Sequence, residues 1–274
     1  MSVAVAGENA LPSAFVVFRG FEDSVKKAAE LGYNGVELAL KNAGEINPSE
    51  LSNLLVQTNM EISCISTGQV FSETGLMFTD ADPGKRSKVK GIFKQMIDLA
   101  CDFGQKVNIG RIRGSVGEDG KASAEHRFVE MARDLCDYAM IKKVTLVLEP
   151  VNRYEINFIN RVEEGVKLLE KVDRQNMKLM PDVFHMNIED ASMGEELAKY
   201  IDYVAYIHLA DSNRLAPGWG HTNFDEIFRH MKNAGYSGWT AVEILPEPEP
   251  FLAAKQAISY LKPRIEKYNK ESYW

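Results

Sequence analysis

Four acidic or imidazole side chains lie at the ends of four successive apolar runs of this 274-residue chain. The runs read "VTLVLE", "MKLMPD", "DYVAYIH" and "WTAVE", and their candidate ligands are Glu149, Asp182, His208 and Glu243. A carboxylate that is buried without a partner is destabilising or becomes protonated. Three carboxylates and one imidazole suit a hard or borderline divalent cation. We therefore expect one divalent cation here, with Mn²⁺ as the first choice and Mg²⁺ or Co²⁺ as alternatives.

Each of these residues has a simpler interpretation when it is taken alone. A carboxylate at a strand end is commonly solvated or paired with a lysine or arginine. The set carries more information than its members, because the carboxyl ends of all strands in a parallel barrel open on one face. Three carboxylates that share this face would repel one another unless a cation neutralised them.

The elements that must position these residues are short apolar runs that alternate with longer amphipathic segments. The predicted strands are Val3–Ala6, Gly35–Leu40, Ile62–Ser66, Lys106–Ile109, Val144–Glu149, Lys178–Asp182, Tyr203–His208 and Thr240–Ile244. This alternation predicts parallel strands with right-handed crossovers, and about eight such units close a (β/α)8 TIM barrel. An open doubly wound sheet is the alternative, but "AVAGENALPS" after the first strand lacks the G-x-G-x-x-G turn. We expect a single α/β domain over residues 1–274, since no linker divides the chain.

The composition argues against several classes of partner. The formal net charge is -7, and no run of Lys or Arg exceeds two residues, so we expect no nucleic acid to bind. No apolar run approaches the roughly 18 residues that span a membrane, and the first residues do not resemble a signal peptide. The three scattered cysteines are typical of reduced core residues. Together these features predict a cytoplasmic protein.

The loops after the predicted strands supply polar and aromatic groups of the kind that bind hydroxyl-rich ligands. Trp219 could form an aromatic wall, or it could be ordinary loop packing. His185 could contact the ligand or support a neighbouring residue. Arg111 and Arg113, just after the fourth strand, could clamp a carboxylate, and we expect Arg113 to select a substrate that carries one. The alternative for both arginines is a surface position or an ion pair.

Several motifs of this chain resemble those of a known family. "EPVNRYE", "DVFHMNIE", "HLADSNR" with "PGWGH", and "VEILP" are similar to motifs of the xylose-isomerase-like TIM-barrel sugar isomerase/epimerase superfamily, in its D-tagatose 3-epimerase group. Through "STGQ", "RIRG", "EPVNRYEINFIN" and "DVFHMNIED", the chain looks most like 5-keto-L-gluconate epimerase-like proteins. The resemblance covers most of the chain and is weaker before Gly35. Pro181 departs from the family, which usually has a small non-proline residue before the aspartate, and this puts the geometry of the metal site in question.

The resemblance implies roles for individual residues. The four candidate ligands match the metal ligands of the family, and Glu149 and Glu243 also match its pair of catalytic carboxylates. Glu155, His185 and Arg214 match residues that hold the terminal hydroxyl and the carbonyl end of the substrate. We also expect a homo-oligomer, either a dimer or a tetramer.

The function that the resemblance implies is a metal-dependent epimerase, an enzyme of the isomerase class, that acts on an unphosphorylated ketose or keto-sugar acid. One carboxylate would remove the proton beside the carbonyl, a divalent ion would stabilise the enediolate, and the second carboxylate would return a proton to the opposite face. Glu247 and Glu249 in the last loop disfavour a phosphorylated substrate. The alternatives on the same metal site are an aldose–ketose or hydroxypyruvate-like isomerase and an inosose-dehydratase-like lyase. A metal-dependent nuclease is disfavoured by the acidic charge, and an inactive sugar-binding protein would have no use for two catalytic carboxylates.

Overall fold

The computed structural model describes residues 1–11 and 14–270 of the chain. The strands are β1 Ser2–Ala6, β2 Phe18–Arg19, β3 Gly35–Ala39, β4 Glu61–Ser66, β5 Lys106–Ile109, β6 Thr145–Leu148, β7 Met177–Leu179, β8 Tyr206–Leu209 and β9 Trp239–Val242. The helices are α1 Phe21–Leu31, α2 Pro48–Thr58, α3 Gly68–Thr74, α4 Pro83–Asp102, α5 Gly120–Ile141, α6 Val162–Val172, α7 Val183–Glu189, α8 Met193–Lys199, α9 Phe224–Asn233 and α10 Pro250–Lys270. The expected domain of residues 1–274 includes residues 12, 13 and 271–274, which lie outside the described residues.

The sheet runs in the order β7-β6-β5-β4-β3-β1-β9-β8, with parallel pairing between neighbours. Two hydrogen bonds join its ends, from the N–H of Ala205 to the carbonyl of Leu179 at 3.1 Å and from the N–H of His208 to the carbonyl of Pro181 at 2.9 Å. These bonds close eight strands into a barrel, while the short β2 pairs only with β1. The predicted (β/α)8 TIM barrel is therefore confirmed.

The barrel strands occur where the sequence predicts them, with some shifted boundaries. The run Tyr203–His208 is not all strand, because residues Ile201–Tyr203 form a 3-10 helix before β8 begins. The run Lys178–Asp182 is paired as a regular strand only as far as Leu179. The two-residue strand β2 was missed, because it is too short to show a periodic pattern.

Pro181 lies at the point where β7 gives way to α7. Proline has no N–H to donate to a strand pair, and here the pairing uses only its carbonyl, which accepts from His208. Asp182 forms a parallel bridge with His208 and then caps α7, where its Oδ1 accepts the N–H of Phe184 at 2.8 Å. The proline is thus accommodated without separating Asp182 from His208.

The core lies in two places, inside the barrel and between the barrel and its helices. Inside the barrel, Cys64, Val147, Met180 and Ala241 pack around Tyr206, whose hydroxyl group lies 2.7 Å from the Oγ of Ser63. The larger cluster joins strand residues to the apolar faces of the surrounding helices. This packing is what fixes the strand ends, and therefore the side chains that follow them. In the described part of the chain, no helix is both long enough and apolar enough to cross a membrane.

Candidate active site

The structure brings the four candidate ligands together at the carboxyl ends of β6, β7, β8 and β9. Each offers one ligand atom, and these atoms all lie within 4.8 Å of one another. The Nδ1 of His208 lies 3.3 Å from Oε1 of Glu149 and 3.5 Å from Oε2 of Glu243. It lies 4.0 Å from Oδ2 of Asp182. A set of three carboxylates and one imidazole at these separations could hold one metal ion.

The charges at this site support a bound cation. Burial raises the pKa of Glu243 to about 8; His208 and Arg214 oppose this, whereas Glu149 and Asp182 add to it. Burial also acts to raise the pKa of Glu149, but His208, the charge of Arg214 and the hydrogen bond from Asn108 together hold that pKa below its ordinary value. Crowded carboxylates of this kind lose their mutual repulsion when a divalent cation lies among them. The donor set therefore fits a metal ion chemically as well as geometrically.

Glu37 is a member of this site that the sequence analysis missed. It lies inside the barrel on β3, fully buried, and its Oε2 lies 2.9 Å from Nε2 of His208. A carboxylate that accepts the N–H of one ring nitrogen fixes the histidine tautomer and directs the other nitrogen towards a metal. The signal was present in the sequence, because a charged residue in the middle of the apolar strand "GVELA" needs a buried partner.

We expect Glu37→Gln to weaken divalent metal binding by about 10–100-fold. The glutamine keeps the size of the side chain but loses the negative charge that holds the Nε2–H of His208. Isothermal titration with Mn²⁺ measures the effect. Glu61→Gln, at the exposed start of β4, is the matched control and should bind as the wild type does. Equal affinity in the two variants would show that Glu37 does not orient the histidine.

Arg214 reaches into the site from the loop after β8. Its Nη1 donates to Oδ2 of Asp182 at 2.5 Å, and its Nη2 donates to Glu243. The guanidinium carbon lies 4.6 Å from the ring centre of Phe15 and 4.8 Å from that of Phe184. An arginine held between two aromatic rings keeps one orientation. The guanidinium is therefore fixed beside the carboxylates, and its Nε, which has no hydrogen-bond partner among the described residues, remains available to a ligand oxygen.

Glu155 and His185 lie beside the same carboxylates. Asn152 holds them both, because its Nδ2 lies 2.8 Å from Nδ1 of His185 and donates to Oε1 of Glu155 at 3.1 Å. The Nε2 of His185 lies 3.9 Å from Oε1 of Glu149. Burial lowers the pKa of His185 to about 3, so the imidazole is neutral at physiological pH. Glu149, Glu155, His185, Arg214 and Glu243 line one cavity.

The sequence profile of the family described as "Xylose isomerase-like TIM barrel" matches residues 25–264. The chain belongs to this family. Its relatives include the L-ribulose 3-epimerase of Methylomonas sp. (strain DH-1), which is 30% identical over 222 residues covering 80% of this chain and 76% of that protein. The D-psicose 3-epimerase of Agrobacterium fabrum (strain C58 / ATCC 33970) is 27% identical over 232 residues, which cover 81% and 78% of the two chains.

Solved structures share the fold of this xylose isomerase-like barrel. A structure of L-ribulose 3-epimerase superposes with a TM-score of 0.84 at 21% identity, covering 99% of this chain and 97% of that one. The D-allulose 3-epimerase from Methylomonas sp., in complex with D-allulose, gives a TM-score of 0.81 at 23% identity, with 96% of each chain covered. The curated relatives confirm the expected isomerase class and the expected D-tagatose 3-epimerase group.

Arg113 does not have the position that the sequence analysis expected within this family's site. Its side chain is fully buried, and its guanidinium donates to the backbone carbonyls of Phe158, Gly110, Glu149 and Ile159. These bonds direct the side chain into the barrel wall and not into the cavity. The structure therefore does not bring Arg113 to the cavity where we expected it to clamp a substrate carboxylate, because its donors hold the loops after β5 and β6 together.

Arg111 occupies the position that was expected for Arg113. It lines the cavity together with Glu149 and Glu155. Its guanidinium carbon lies 5.4 Å from the ring centre of Phe71, and its Nη2 donates to Oγ of Ser72 at 3.3 Å. Among contacts to described residues, this is the one hydrogen bond of its guanidinium, so most of its donors remain available for a ligand.

Trp219 is the other expected contact that the structure does not bring to the cavity. It is 37% exposed in the loop after β8, and it does not belong to the cavity lining. Its N–H donates to the carbonyl of Ala216, and its own carbonyl accepts from Asn213. The aromatic wall of the site is instead made by Phe15, from the loop before β2, which sequence analysis had no pattern to identify.

Proposed function

We propose that this chain is a metal-dependent epimerase that inverts the carbon beside the carbonyl of an unphosphorylated ketose or keto-sugar acid. The observation that carries the proposal is the arc of four neighbouring strands, β6 to β9, with one donor at the end of each. Glu149 and Glu243 come from the two outer strands of this arc. Two carboxylates that approach from different sides are what inversion at a planar carbon requires.

The residues of the site would divide the chemistry as follows. A divalent cation held by Glu149, Asp182, His208 and Glu243 would act as a Lewis acid on the carbonyl and hydroxyl oxygens of the sugar. One of the two glutamates would enter the reaction ionised and take the proton from carbon, and the other would enter protonated and give its proton to the opposite face. The two carboxylates exchange protonation states in each turnover, so the reverse reaction uses the same pair. Arg214, His185 and Glu155 would orient the sugar through its oxygens.

The relatives support the substrate class and the position of inversion. Curated proteins named L-ribulose 3-epimerase and D-psicose 3-epimerase share 30% and 27% of aligned residues with this chain. We take carbon 3 of a ketose as the carbon that is inverted, and Mn²⁺ as the bound ion. The exposed Glu247 and Glu249 near the last strand end add negative charge, which favours a substrate without phosphate.

A second candidate is an isomerase that moves the carbonyl to the neighbouring carbon. The hydroxypyruvate isomerase of Escherichia coli (strain K12) is 23% identical to this chain over 229 residues. The same metal and bases would serve that reaction if a proton were removed from carbon 1 of the ketose and one were delivered to carbon 2. The two candidates differ in which carbon loses its proton and which carbon receives one, so the products distinguish them.

The test is a product screen by proton NMR. Protein loaded with Mn²⁺ is incubated with ketohexoses, ketopentoses and keto-hexuronates, and parallel samples contain EDTA. We expect the carbon-3 epimer of at least one substrate, with activity lost in EDTA and restored by Mn²⁺. An aldose product would favour the isomerase, and loss of water from the sugar would favour a lyase. No conversion of any substrate would contradict the proposal.

Recognition of a keto-sugar acid can be tested separately at Arg111. Charge-assisted hydrogen bonds to a carboxylate contribute about 1.5–3 kcal/mol, so we expect Arg111→Ala to lower kcat/KM for a keto-hexuronate by about 10–100-fold more than for the matching neutral ketose. Steady-state kinetics on both substrates measure this. Arg111→Lys is the matched control, which keeps the charge but loses the two-pronged geometry. Its kcat/KM for the keto-hexuronate should lie between those of the wild type and Arg111→Ala. An equal loss on both substrates would rule out carboxylate recognition by Arg111.

A further inference from the structure

The loop between β8 and α9 folds around a single buried carboxylate. Asp211 is 1% exposed. Its Oδ1 accepts the N–H groups of Ser212 at 2.8 Å and Thr222 at 3.0 Å, and its Oδ2 accepts the N–H of Gly218 at 2.7 Å. Hydrogen bonds to an ionised carboxylate are stronger than those between neutral groups. Asp211 therefore ties the first residues of the loop to its last residues.

Glycine is required where the loop passes the carboxylate. A Cβ atom built on Gly220 would lie 2.2 Å from Oδ1 of Asp211, which is too close for two non-bonded atoms, so no side chain fits at this position. Gly218 has a φ of 95°, a conformation that favours glycine. The "PGWG" segment is thus shaped to wrap closely around Asp211.

Arg214 lies inside this loop in an unfavourable backbone conformation. Its φ is 64°, in the left-handed region that a non-glycine residue enters only at an energetic cost. Its N–H donates to the carbonyl of Asp211 at 2.9 Å, and its carbonyl accepts from Leu245 at 2.9 Å. Such a conformation persists only where the surroundings fix it. Within the loop, those surroundings include the backbone bond from Arg214 to the carbonyl of Asp211 and the bonds that the Asp211 carboxylate accepts.

The side chain of Arg214 depends on this backbone geometry. Arginine has several rotatable bonds and loses rotamer entropy when it is fixed in one orientation. Between Phe15 and Phe184 its guanidinium fits as a flat group in a narrow slot. A change in the direction of its Cα–Cβ bond would remove the guanidinium from that slot, since both rings come from other parts of the chain.

We propose that Asp211 is a positioning residue, whose carboxylate holds the loop in the shape that aims Arg214 at the reacting end of the sugar. The part of this inference that concerns the sugar rests on the proposed epimerase function. Asp211 does not line the cavity, so it acts through Arg214 and not by contact with the substrate. The alternative is that Asp211 only stabilises the loop, with no consequence for Arg214.

A double-mutant cycle separates these two roles. Asp211→Asn replaces one acceptor oxygen by an NH2 group, which cannot accept hydrogen bonds from the backbone N–H groups that face it. We expect this change to lower kcat/KM for the best substrate by about 10–100-fold, the range for loss of one charge-assisted hydrogen-bond network. In an Arg214→Ala background the same change should alter kcat/KM by less than about threefold, because residues that act as a unit are not additive. A similar loss in both backgrounds would overturn the proposal.

Chemical labelling reads the position of Arg214 without any sugar. Arg214 is 3% exposed, so phenylglyoxal should modify it slowly in the wild type. We expect Asp211→Asn to increase the rate of labelling at Arg214 by at least about tenfold, which corresponds to a loss of about 1.4 kcal/mol of protection. Peptide mass spectrometry measures the rate. Labelling at the wild-type rate would overturn the proposal. If the wild type epimerises no sugar, the proposed function fails, and this labelling still decides whether Asp211 positions Arg214.

Two further variants keep the test independent of folding. Gly220→Ala leaves Asp211 intact but forces a Cβ against its carboxylate, and it should increase labelling of Arg214 in the same way. Asn223→Ala is the matched control, because Asn223 accepts the N–H of Glu226 at the start of α9 and takes no part in the bonds to Asp211. It should lower the melting temperature while kcat/KM and Arg214 labelling stay at wild-type values. Faster labelling in Asn223→Ala would mean that general loosening of the loop explains the result.

Discussion

Replacing Glu149 or Glu243 by glutamine should lower the rate of epimerisation by at least about 10²–10⁴-fold, the range that general acid–base groups contribute. Glutamine keeps the size of the side chain and one oxygen that can bind a metal, but it cannot accept the proton from carbon. The remaining glutamate still reaches one face of the sugar. Each variant should therefore exchange the proton of one epimer with solvent while converting little of it into the other.

The experiment supplies one epimer at a time to each variant in D2O and follows deuterium at the reacting carbon by NMR. We expect Glu149→Gln and Glu243→Gln to exchange opposite epimers. Metal content is measured in each sample, so that a lost ion is not mistaken for a lost base. Glu247→Gln, in the exposed loop after β9, is the matched control and should retain wild-type epimerisation. If both variants exchange the same epimer, or if both epimerise at full rate with metal bound, the two-base assignment is wrong.

His208→Ala should weaken divalent metal binding by at least about 100-fold, which is the upper end of the loss seen when a residue that only supports a ligand is removed. His208 is fully buried, and its Nδ1 lies within 4.0 Å of an oxygen of each of the three carboxylates. Its removal takes away the one nitrogen donor of the four ligands and leaves three carboxylates that repel one another. Epimerase activity should fall with metal occupancy and return in part at high metal concentration.

Titration calorimetry with Mn²⁺ measures the loss, and a crystal soaked in Mn²⁺ shows whether density lies between the four side chains. His126→Ala, on the exposed surface of α5, is the control and should bind Mn²⁺ as the wild type does. Wild-type affinity in His208→Ala, or an empty site in the soaked wild-type crystal, would contradict the assignment of these residues as ligands.

The barrel could be predicted from the sequence because its signal is repeated many times. Eight apolar runs alternate with amphipathic helices, and the pattern survives errors at individual boundaries such as the late start of β8. The same repetition placed Glu149, Asp182, His208 and Glu243 on one face, because each follows or ends its own strand. Their distances within 4.8 Å are a consequence of barrel closure and not of any local motif.

Strand periodicity could not predict which of two neighbouring loop residues lines the cavity. Arg111 and Arg113 are two positions apart in a 3-10 helix, where no strand or α-helix period defines an inward face. The Arg113 side chain turns into the barrel wall and donates to four backbone carbonyls, whereas Arg111 lines the cavity. Phe15 and Arg214 are likewise 199 positions apart in the sequence, and only the assembled barrel brings their side chains into contact. Contacts of this length depend on packing, which sequence periodicity does not encode.

Two-base epimerisation is tested most directly by the deuterium content of the epimer that the wild-type protein forms in D2O with Mn²⁺ bound. We expect one solvent deuterium at the inverted carbon of every product molecule, since one glutamate removes a proton and the other returns one from solvent. With EDTA, neither product nor deuterium should appear. A product that keeps its original hydrogen at that carbon, or an aldose with deuterium at the neighbouring carbon, would contradict a two-base epimerase.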